Sequence, residues 1–325
     1  MGKYILKRLL MLIPVVLGVS LLIFTLMYFV PGNLAQIILG QSATQDQIMA
    51  LEEQLGLNDP YIEQLGRFMA NTFLRFDLGE SYMTGIPVIE ELITRFPRTL
   101  KLAVGSTAIA LLIGVPLGVV AAVNQNKPGD YITMAVALIG ISMPNFWLAL
   151  MLILLVSVKW NLLPASGMDQ GIKSWILPCF SNALIGVSTQ ARQARSSMLD
   201  VIKSDYVIMA RSKGLPERKV IWGHALPNAL IPIVTIAGGV FGNMLAGSLI
   251  TESVFSIPGI GYYLTSAVNN RDYTVVQSCV VVLSIIFSLV ILLTDILLAA
   301  IDPRIKAQFA NSAGKKKLRK EKGGK

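Results

Sequence analysis

The sequence predicts an all-α integral membrane protein with six transmembrane helices and both chain ends in the cytoplasm. Three observations lead to this prediction. Of the 325 residues, 54% are hydrophobic and only 14% are charged, with a mean hydropathy of +0.62, a balance well outside that of soluble domains. The apolar residues form runs long enough to cross about 30 Å of hydrocarbon as helices. The basic residues lie in alternate gaps between those runs.

The first predicted span is the clearest, because an uncharged run follows Lys3, Lys7 and Arg8. A cleaved signal peptide is the alternative, but the run exceeds the usual length of a signal core and no small-residue cleavage site follows it. We therefore expect this helix to remain in the protein. The six spans are predicted at residues 9–30, 99–123, 131–158, 176–192, 229–251 and 276–301.

Prolines and polar residues give individual spans distinct properties. Pro116 and Pro144 predict kinks in the second and third spans. The fourth span is the least hydrophobic, and it is expected to face the centre of the bundle because unpaired amides and hydroxyls are costly in hydrocarbon. Its polar side chains either join helices or line a substrate path; they are Asn182, Ser188, Thr189 and Gln190.

Small residues in the fifth span predict close packing against another helix; they are Gly238, Gly239, Gly242 and Gly247. In the sixth span, Asp295 lies near the predicted inner end. We interpret this carboxylate as paired with another helix or placed at the interface, in preference to an ion site.

Charge indicates the topology. Twenty of the 28 Lys and Arg residues fall at the N-terminus, in the loop 124–130, in the stretch 192–219 or beyond residue 301, and the positive-inside rule places these parts in the cytoplasm. Residues 31–98 carry nine acidic and four basic residues, which places them outside. This outer segment is expected to be small and helical, with Thr44 as a helix N-cap and a helix from Pro87 that Pro97 ends.

Several functional classes lack the residues they need. Cys179 and Cys279 have no pairing or metal-ligand spacing, and we interpret them as buried thiols. The net charge of +9 follows the membrane topology and does not indicate nucleic-acid binding. No G-x-x-x-x-G-K-[ST] phosphate loop occurs, and no convergent acid, His or Ser pair is visible within the spans. The sequence thus predicts a chain without catalytic residues, metal ligands or a cofactor of its own.

The most informative stretch runs from Lys203 to Pro232. It is charged and amphipathic, and it lies between two hydrophobic runs. Gly214 can adopt a positive φ, while Pro216 fixes its own φ and restricts the preceding Leu215. A helix, a turn and a second helix are therefore predicted at the cytoplasmic surface, as a rigid feature that a partner could grip.

Within this stretch, Ala210 and Gly214 precede Leu226 and Pro227 at a fixed spacing. The spacing resembles the EAA loop of bacterial ABC importer permeases, in which Glu-Ala-Ala, three residues and Gly are followed after nine residues by Ile-x-Leu-Pro. The match departs from the family pattern at three positions, which are Ile208, Met209 and His224. The form DY...ARSKG with HAL.NALIP, between Asp205 and Pro232, instead resembles the dipeptide, oligopeptide and nickel branch of these importers.

Other stretches resemble the first permease subunit of that branch, the dipeptide- or oligopeptide-permease B-like chain. They include YILKRLLMLIPVVLGVSLLIFTLMYFVPG at the start, DLGESYMTGIPVIEELITRFPRTLKLA, ESVFSIPGIGYYL, and the ending DILLAAIDPRI. The resemblance covers residues 1–306 and leaves out only the basic tail.

The resemblance implies a type I ABC importer permease fold in a multi-pass chain of a bacterial cell membrane. It also implies a sister permease subunit as heterodimer partner, two cytosolic ATPase subunits that bind ATP and Mg²⁺, and an external substrate-binding protein. The implied function is import of di- or oligopeptides by alternating access. Nickel chelates and oligosaccharides are alternative cargoes, and a passive channel or membrane scaffold is the alternative from another class.

The implied division of the chain has three parts. Residues 1–98 comprise the first span and the outer helical segment, and residues 99–306 form a five-helix core with the coupling loop 203–228. Residues 307–325 are expected to form a basic disordered tail, whose charge would attract anionic lipid head groups.

Two sets of site residues follow. Predicted contacts with the ATPase are made by Asp205, Tyr206, Ala210, Arg211, Lys213, Gly214, Leu215, Leu226 and Pro227. Candidates for the substrate path are Asn145, Asn182, Thr189 and Asn243. Arg211, Lys213 and Arg218 are the candidates for charge pairs with the ATPase, and Ala210 is expected to permit its close approach. His224 is interpreted as a hydrogen-bonded structural residue in preference to a pH switch or metal ligand.

Overall fold

The computed structural model describes residues 2–40 and 42–301, and this part of the chain is almost entirely helical. Within these ranges there is no strand, and an isolated bridge pairs Glu80 with Pro87. The basic tail predicted at 307–325 lies outside the described residues. The helices are α1 (Gly2–Phe29), α2 (Leu34–Leu39), α3 (Gln45–Leu55), α4 (Tyr61–Leu74), α5 (Val88–Val123), α6 (Pro128–Ser142), α7 (Asn145–Leu152), α8 (Lys173–Ile202), α9 (Asp205–Ser212), α10 (Glu217–Lys219), α11 (Leu226–Gly247), α12 (Leu249–Val254), α13 (Ile260–Asn269) and α14 (Tyr273–Ile301), with π-helical turns at Ile153–Lys159 and Val220–Ala225.

Four helical segments of the described chain are long and apolar enough to cross a membrane; they are Arg8–Phe29, Val88–Val123, Glu217–Ala246 and Tyr273–Leu297. A fifth candidate is the bent pair Pro128–Ser142 and Asn145–Lys159. The remaining predicted span, 176–192, lies in α8, which is too polar to meet the same criterion. The count of six spans therefore stays a prediction, since α8 can cross a bilayer only with its polar side covered by protein.

The effects of Pro97 and Pro144 differ from those predicted. The expectation that Pro97 ends a helix is wrong, because α5 continues through both Pro97 and Pro116; spanning helices tolerate proline where neighbouring groups satisfy the freed carbonyl. At Pro144 the break is sharper than a kink, since α6 and α7 meet at 100°. Met143 is extended, with φ −77° and ψ 129°, because a following proline disfavours the helical conformation.

The described helices form two compact units. The larger unit contains Leu100–Ile257 together with short pieces from both ends of the chain, and the smaller contains Leu10–Thr99 and Pro258–Ile286. The three-part division made from the sequence is a division by role, and it stays a prediction.

In the larger unit, α5 and α8 approach each other through two glycines one helical turn apart. A Cβ atom at Gly114 would lie 2.6 Å from the carbonyl oxygen of Val187, and one at Gly118 would lie 2.3 Å from that of Ala191. Real Cβ atoms do not approach backbone oxygens so closely, so both positions require glycine. The spacing is that of the small-xxx-small packing motif.

The small-residue face predicted on the fifth span also packs closely. A Cβ atom at Gly238 would meet the side chain of Thr294 at 2.2 Å, and one at Gly242 would meet the ring of Phe287 at 2.8 Å. Gly239 borders open space. Part of the predicted glycine face of α11 thus packs against α14.

Near the end of α14, Asp295 is paired as its position in the sequence suggested. One of its carboxylate oxygens lies 2.9 Å from Nη1 of Arg8. This pair joins the beginning of α1 to the end of α14 within the larger unit.

The smaller unit is held by local caps and by aromatic packing. The predicted cap at Thr44 is confirmed, since its hydroxyl and the side chain of Gln47 form a reciprocal capping box. The ring of Tyr61, on α4, lies 5.7 Å from the ring of Phe24 and 5.1 Å from that of Tyr28, both on α1. These contacts hold α4 against α1 within the smaller unit.

The close approach at Gly118 predicts the effect of a small substitution. We expect Gly118→Ala to destabilise the protein by about 1–3 kcal/mol, because the added methyl group must displace the α8 backbone. Gly239→Ala is the matched control, since its methyl group meets open space and alanine favours the helix. Thermal unfolding of both purified variants in detergent checks this, and equal unfolding temperatures would contradict it.

Candidate coupling surface

A left-handed glycine makes the turn predicted in the segment 203–228. Helix α9 ends at Ser212, and Gly214 has φ +76°, a conformation that is costly for residues with a Cβ atom. The Gly214 amide donates to the carbonyl of Arg211 at 2.9 Å. After the turn, the carbonyl of Pro216 accepts from the amides of Lys219 and Val220 at 2.8 and 3.1 Å, which starts α10. The predicted helix–turn–helix is confirmed.

A buried apolar cluster supports this turn, and we name it the turn cluster. It joins both sides of the turn to the ends of α5 and α8 and to the start of α11. Its residues are Val119, Ala122, Ala194, Met198, Val207, Ala210, Val220, Ile221, Ala225, Ala229 and Ile233. Because the cluster contains residues from before and after Gly214, the turn is held as a rigid unit with the membrane helices of the larger unit.

Helix α9 has an inner and an outer face. Val207 is fully buried, whereas Tyr206, Ile208 and Met209 are 44%, 51% and 59% exposed. A short helix therefore presents three large apolar side chains to its surroundings while its opposite side is packed in the turn cluster. Such an exposed apolar patch is typical of an interaction site.

Ala210 requires a correction. The sequence suggested that this small residue allows close approach of a partner, but it is only 6% exposed and belongs to the turn cluster. Its small size lets α9 pack on the ends of α5 and α8. The departure from the family pattern at Ile208 and Met209 accordingly concerns outward-facing positions, whereas the matching Ala210 faces inward.

Arg211, before the turn, forms an ion pair with Glu217, after the turn. Its Nη2 lies 2.7 Å from Oε1 of Glu217, its Nε lies 3.2 Å from both carboxylate oxygens, and its Nη1 donates to the carbonyl of Ile202 at 3.5 Å. The hydrogen bond to Glu217 raises the pKa of the Arg211 guanidinium above its usual value. Arg211 was one of three candidates for a charge pair with the ATPase, and that contact stays a prediction; in the structure the guanidinium pairs with Glu217 of this chain.

Of the other residues predicted to contact the ATPase, some are exposed and some pack against the turn cluster. Asp205 and Lys213 are exposed at the two ends of α9. Leu215 and Leu226 pack against the turn cluster. Pro227 is exposed in the first turn of α11, where proline needs no amide partner.

His224 is exposed in the π-helical turn. Its carbonyl accepts a hydrogen bond from the side chain of Asn228 at 2.9 Å. Among the described residues, no group of three or more His, Cys, Asp and Glu side chains is placed to hold a metal ion.

The predicted substrate-path residues come together only in part. Nδ2 of Asn145 lies 3.1 Å from the hydroxyl of Thr251, that hydroxyl lies 3.5 Å from Oδ1 of Asn182, and Nδ2 of Asn182 lies 3.3 Å from the hydroxyl of Ser106. These four residues form a polar cluster inside the larger unit. Thr251 and Ser106 were not singled out from the sequence, because isolated hydroxyls in apolar runs are common.

Thr189 and Asn243 lie apart from these polar contacts. The hydroxyl of Thr189 donates to the carbonyl of Ile185 on its own helix, and Asn243 is exposed on α11. The polar side of α8 is nevertheless buried as expected, since Asn182, Ser188 and Gln190 are all buried. Neither amide atom of Gln190 has a hydrogen-bond partner within the described part of the chain.

Family models match most of the chain. Residues 114–307 match the family described as binding-protein-dependent transport system inner membrane component, and residues 1–103 match the N-terminal family of the same systems. The chain belongs to this family of ABC importer permeases. The matched region includes the turn cluster and the entire segment 203–228.

Curated relatives agree with the peptide branch. This permease is 41% identical to the dipeptide transport system permease protein DppB of Alkalihalophilus pseudofirmus, over 94% of this chain and 100% of that protein. It is 40% identical to the glutathione transport system permease protein GsiC of Salmonella paratyphi A and 37% identical to DppB of Escherichia coli, in each case over 94% of this chain and 99% of the relative.

A solved structure agrees with the fold. The permease resembles a chain of the inward-facing MetNI methionine ABC transporter with a TM-score of 0.57 and 19% identity, over 66% of this chain and 97% of that chain. This likeness bears on the fold alone, and it matches the all-α ABC importer permease architecture predicted from the sequence.

One charge pair of the permease was missed by reasoning from the sequence. Nε and Nη2 of Arg195, on α8, lie 2.6 and 2.7 Å from the two carboxylate oxygens of Asp130, at the start of α6. Asp130 is only 2% exposed. Both residues had been counted only as loop and flanking charges, and the available signal was an acidic residue in a loop predicted to be cytoplasmic, where basic residues are favoured.

The Arg211–Glu217 pair predicts a measurable change in the turn. We expect Glu217→Gln to increase amide hydrogen exchange at residues 211–217 by a few fold, because a partly exposed ion pair contributes at most about 1 kcal/mol. Lys213→Gln is the control, since it removes one charge from the exposed end of α9 without affecting the pair. Hydrogen exchange read by mass spectrometry checks the prediction, and equal exchange in the two variants would count against it.

Proposed function

We propose that this permease is one of two transmembrane subunits of an ATP-driven importer for di- or oligopeptides delivered by an external binding protein. The observation that carries the proposal is the outer face of α9, where Tyr206, Ile208 and Met209 are exposed on a helix whose other face is packed in the turn cluster. A groove on a cytosolic ATPase subunit would receive this face, as grooves receive amphipathic helices in many complexes. Asp205 and Lys213 form its polar rim.

The energy for transport comes from outside this chain in this proposal. The sequence has no phosphate-binding loop, so ATP and Mg²⁺ are bound by two partner ATPase subunits and this subunit is not catalytic. The closing of the ATPase pair on ATP moves the coupling segments of the two permeases, which form a heterodimer with a sister chain. Because the turn cluster joins Gly214 to α5, α8 and α11, such a movement is passed on to those helices.

The polar cluster is the proposed substrate-contacting region. Asn145 and Asn182 carry amides that both donate and accept hydrogen bonds, which suits the backbone of a peptide. Oδ1 of Asn145 is buried without a hydrogen-bond partner among the described residues, so it has capacity for one more donor. Thr189 and Asn243 remain proposed members of the path.

The names of the relatives support the cargo class. Two matched permeases are named for dipeptide transport and one for glutathione transport. The proposed topology is that of the sequence prediction, with six spans, both ends in the cytoplasm of a bacterium, and residues 31–98 on the side of the binding protein.

Reconstitution tests the proposed function. The permease is purified together with the sister chain, ATPase subunits and binding protein of the same organism and placed in proteoliposomes. We expect uptake of a radiolabelled dipeptide that requires both ATP and the binding protein. Uptake of a nickel chelate or an oligosaccharide in place of the dipeptide would overturn the cargo, and conductance without ATP would overturn the importer.

The turn at Gly214 predicts loss of coupling in a variant. We expect Gly214→Val to abolish substrate-stimulated ATP hydrolysis while membrane insertion is intact, because a β-branched residue at φ +76° is strongly disfavoured. The control is Gly223→Val in the same segment, where an added Cβ atom meets its nearest neighbour at 3.9 Å. ATPase assays with and without loaded binding protein give the result, and unchanged stimulation in Gly214→Val would remove the coupling assignment.

A further inference from the structure

The Asp130–Arg195 ion pair holds its two side chains in one geometry. The guanidinium meets the carboxylate through two parallel hydrogen bonds, and Oδ2 of Asp130 also accepts from the amide of Asn126 at 3.0 Å. Bidentate pairs of this kind have strict geometry, and a buried charge left without its partner is far more costly than an exposed one. The carboxylate and guanidinium therefore move together, whereas apolar side chains at the same place could slide.

On one side, the pair is linked to the coupling segment. Arg195 belongs to α8, which runs without a break to Ile202. Its neighbours Ala194 and Met198 lie in the turn cluster with Val207 and Ala210. Displacement of the Gly214 turn therefore acts on the stretch of α8 that carries Arg195.

On the other side, the pair is linked to the polar cluster. Asp130 lies in the first turn of α6, and α6 packs tightly on α8, since a Cβ atom at Gly140 would lie 2.6 Å from the hydroxyl of Ser188. Two residues after α6 ends, the chain has turned by 100° into α7. The first residue of α7 is Asn145, which forms a hydrogen bond with Thr251 in the polar cluster.

We propose that Asp130 and Arg195 are positioning residues of the transport cycle. The ion pair keeps α6 in a fixed position relative to α8. A displacement of the coupling segment that moves α8 therefore also moves α6 and the bend before Asn145. The proposal rests on the proposed function for the source of that displacement. The paired charges act through these helices, and neither residue needs to touch the cargo or the ATPase.

The first test measures coupling in the complete reconstituted complex. We expect Asp130→Asn and Arg195→Lys to lower the number of dipeptides taken up per ATP hydrolysed by roughly 2- to 30-fold, while complex assembly and ATP hydrolysis persist. The exchanged pair, Asp130→Arg with Arg195→Asp, should recover part of the ratio. The control is Asp59→Asn, which breaks an exposed pair with Arg67 in the smaller unit.

The second test does not depend on the cargo. Spin labels are attached at Ser196→Cys and Ile132→Cys, two exposed positions on α8 and on α6, in the complete complex. The distance between the labels should be the same without nucleotide and with ATP when Asp130 is present, and should change on ATP binding in Asp130→Asn. This measurement remains valid if the complex imports something other than dipeptides.

Two results would overturn the inference. An unchanged uptake ratio in assembled Asp130→Asn and Arg195→Lys complexes would show that the pair has no part in coupling. An equal change of label distance with and without Asp130 would show that the pair does not hold α6 to α8. Failure of the unsubstituted complex to take up a dipeptide would overturn the proposed cargo instead, and the label distances would still decide the role of the pair.

Discussion

The polar side of α8 has to be covered by protein, and much of the packing of the larger unit follows from this constraint. Amides and hydroxyls that face hydrocarbon without a hydrogen-bond partner are costly. Helix α8 carries Asn182, Ser188 and Gln190 in its middle. Glycines on two neighbouring helices allow the necessary close approach, with Gly114 on α5 and Gly140 on α6. The same helix continues into the support of the Gly214 turn. One polar helix thus connects the interior of the unit to its proposed docking surface.

The proposed coupling segment, residues 203–228, is held rigid by apolar packing more than by charge. The turn cluster buries residues on both sides of Gly214, whereas the Arg211–Glu217 pair is partly exposed and adds at most about 1 kcal/mol. The contrast with Asp130 and Arg195 is one of environment, because a nearly buried carboxylate depends on its partner. Two ion pairs with similar geometry therefore have different consequences when they are broken.

Where sequence reasoning failed, the cause was usually packing between distant segments. Gly214 was assigned correctly because a positive φ is a local property of the chain, and the Thr44 cap was assigned for the same reason. Ala210 was misjudged because its orientation depends on residues of α5 and α8 that are far away in the sequence. Pro97 was misjudged because proline ends a helix only where nothing else accommodates the lost hydrogen bond.

The sequence by itself determined the all-helical membrane class, the candidate spans, the branch of the family and the position of the Gly214 turn. These properties depend on composition, on the length of apolar runs and on local backbone chemistry, all of which act over a few residues. The tertiary structure alone decided that Ala210 faces inward, that Asn145 and Asn182 bond to a common hydroxyl, and that Asp130 meets Arg195. Those contacts join residues up to 106 positions apart, and such separations become adjacent only when the helices pack.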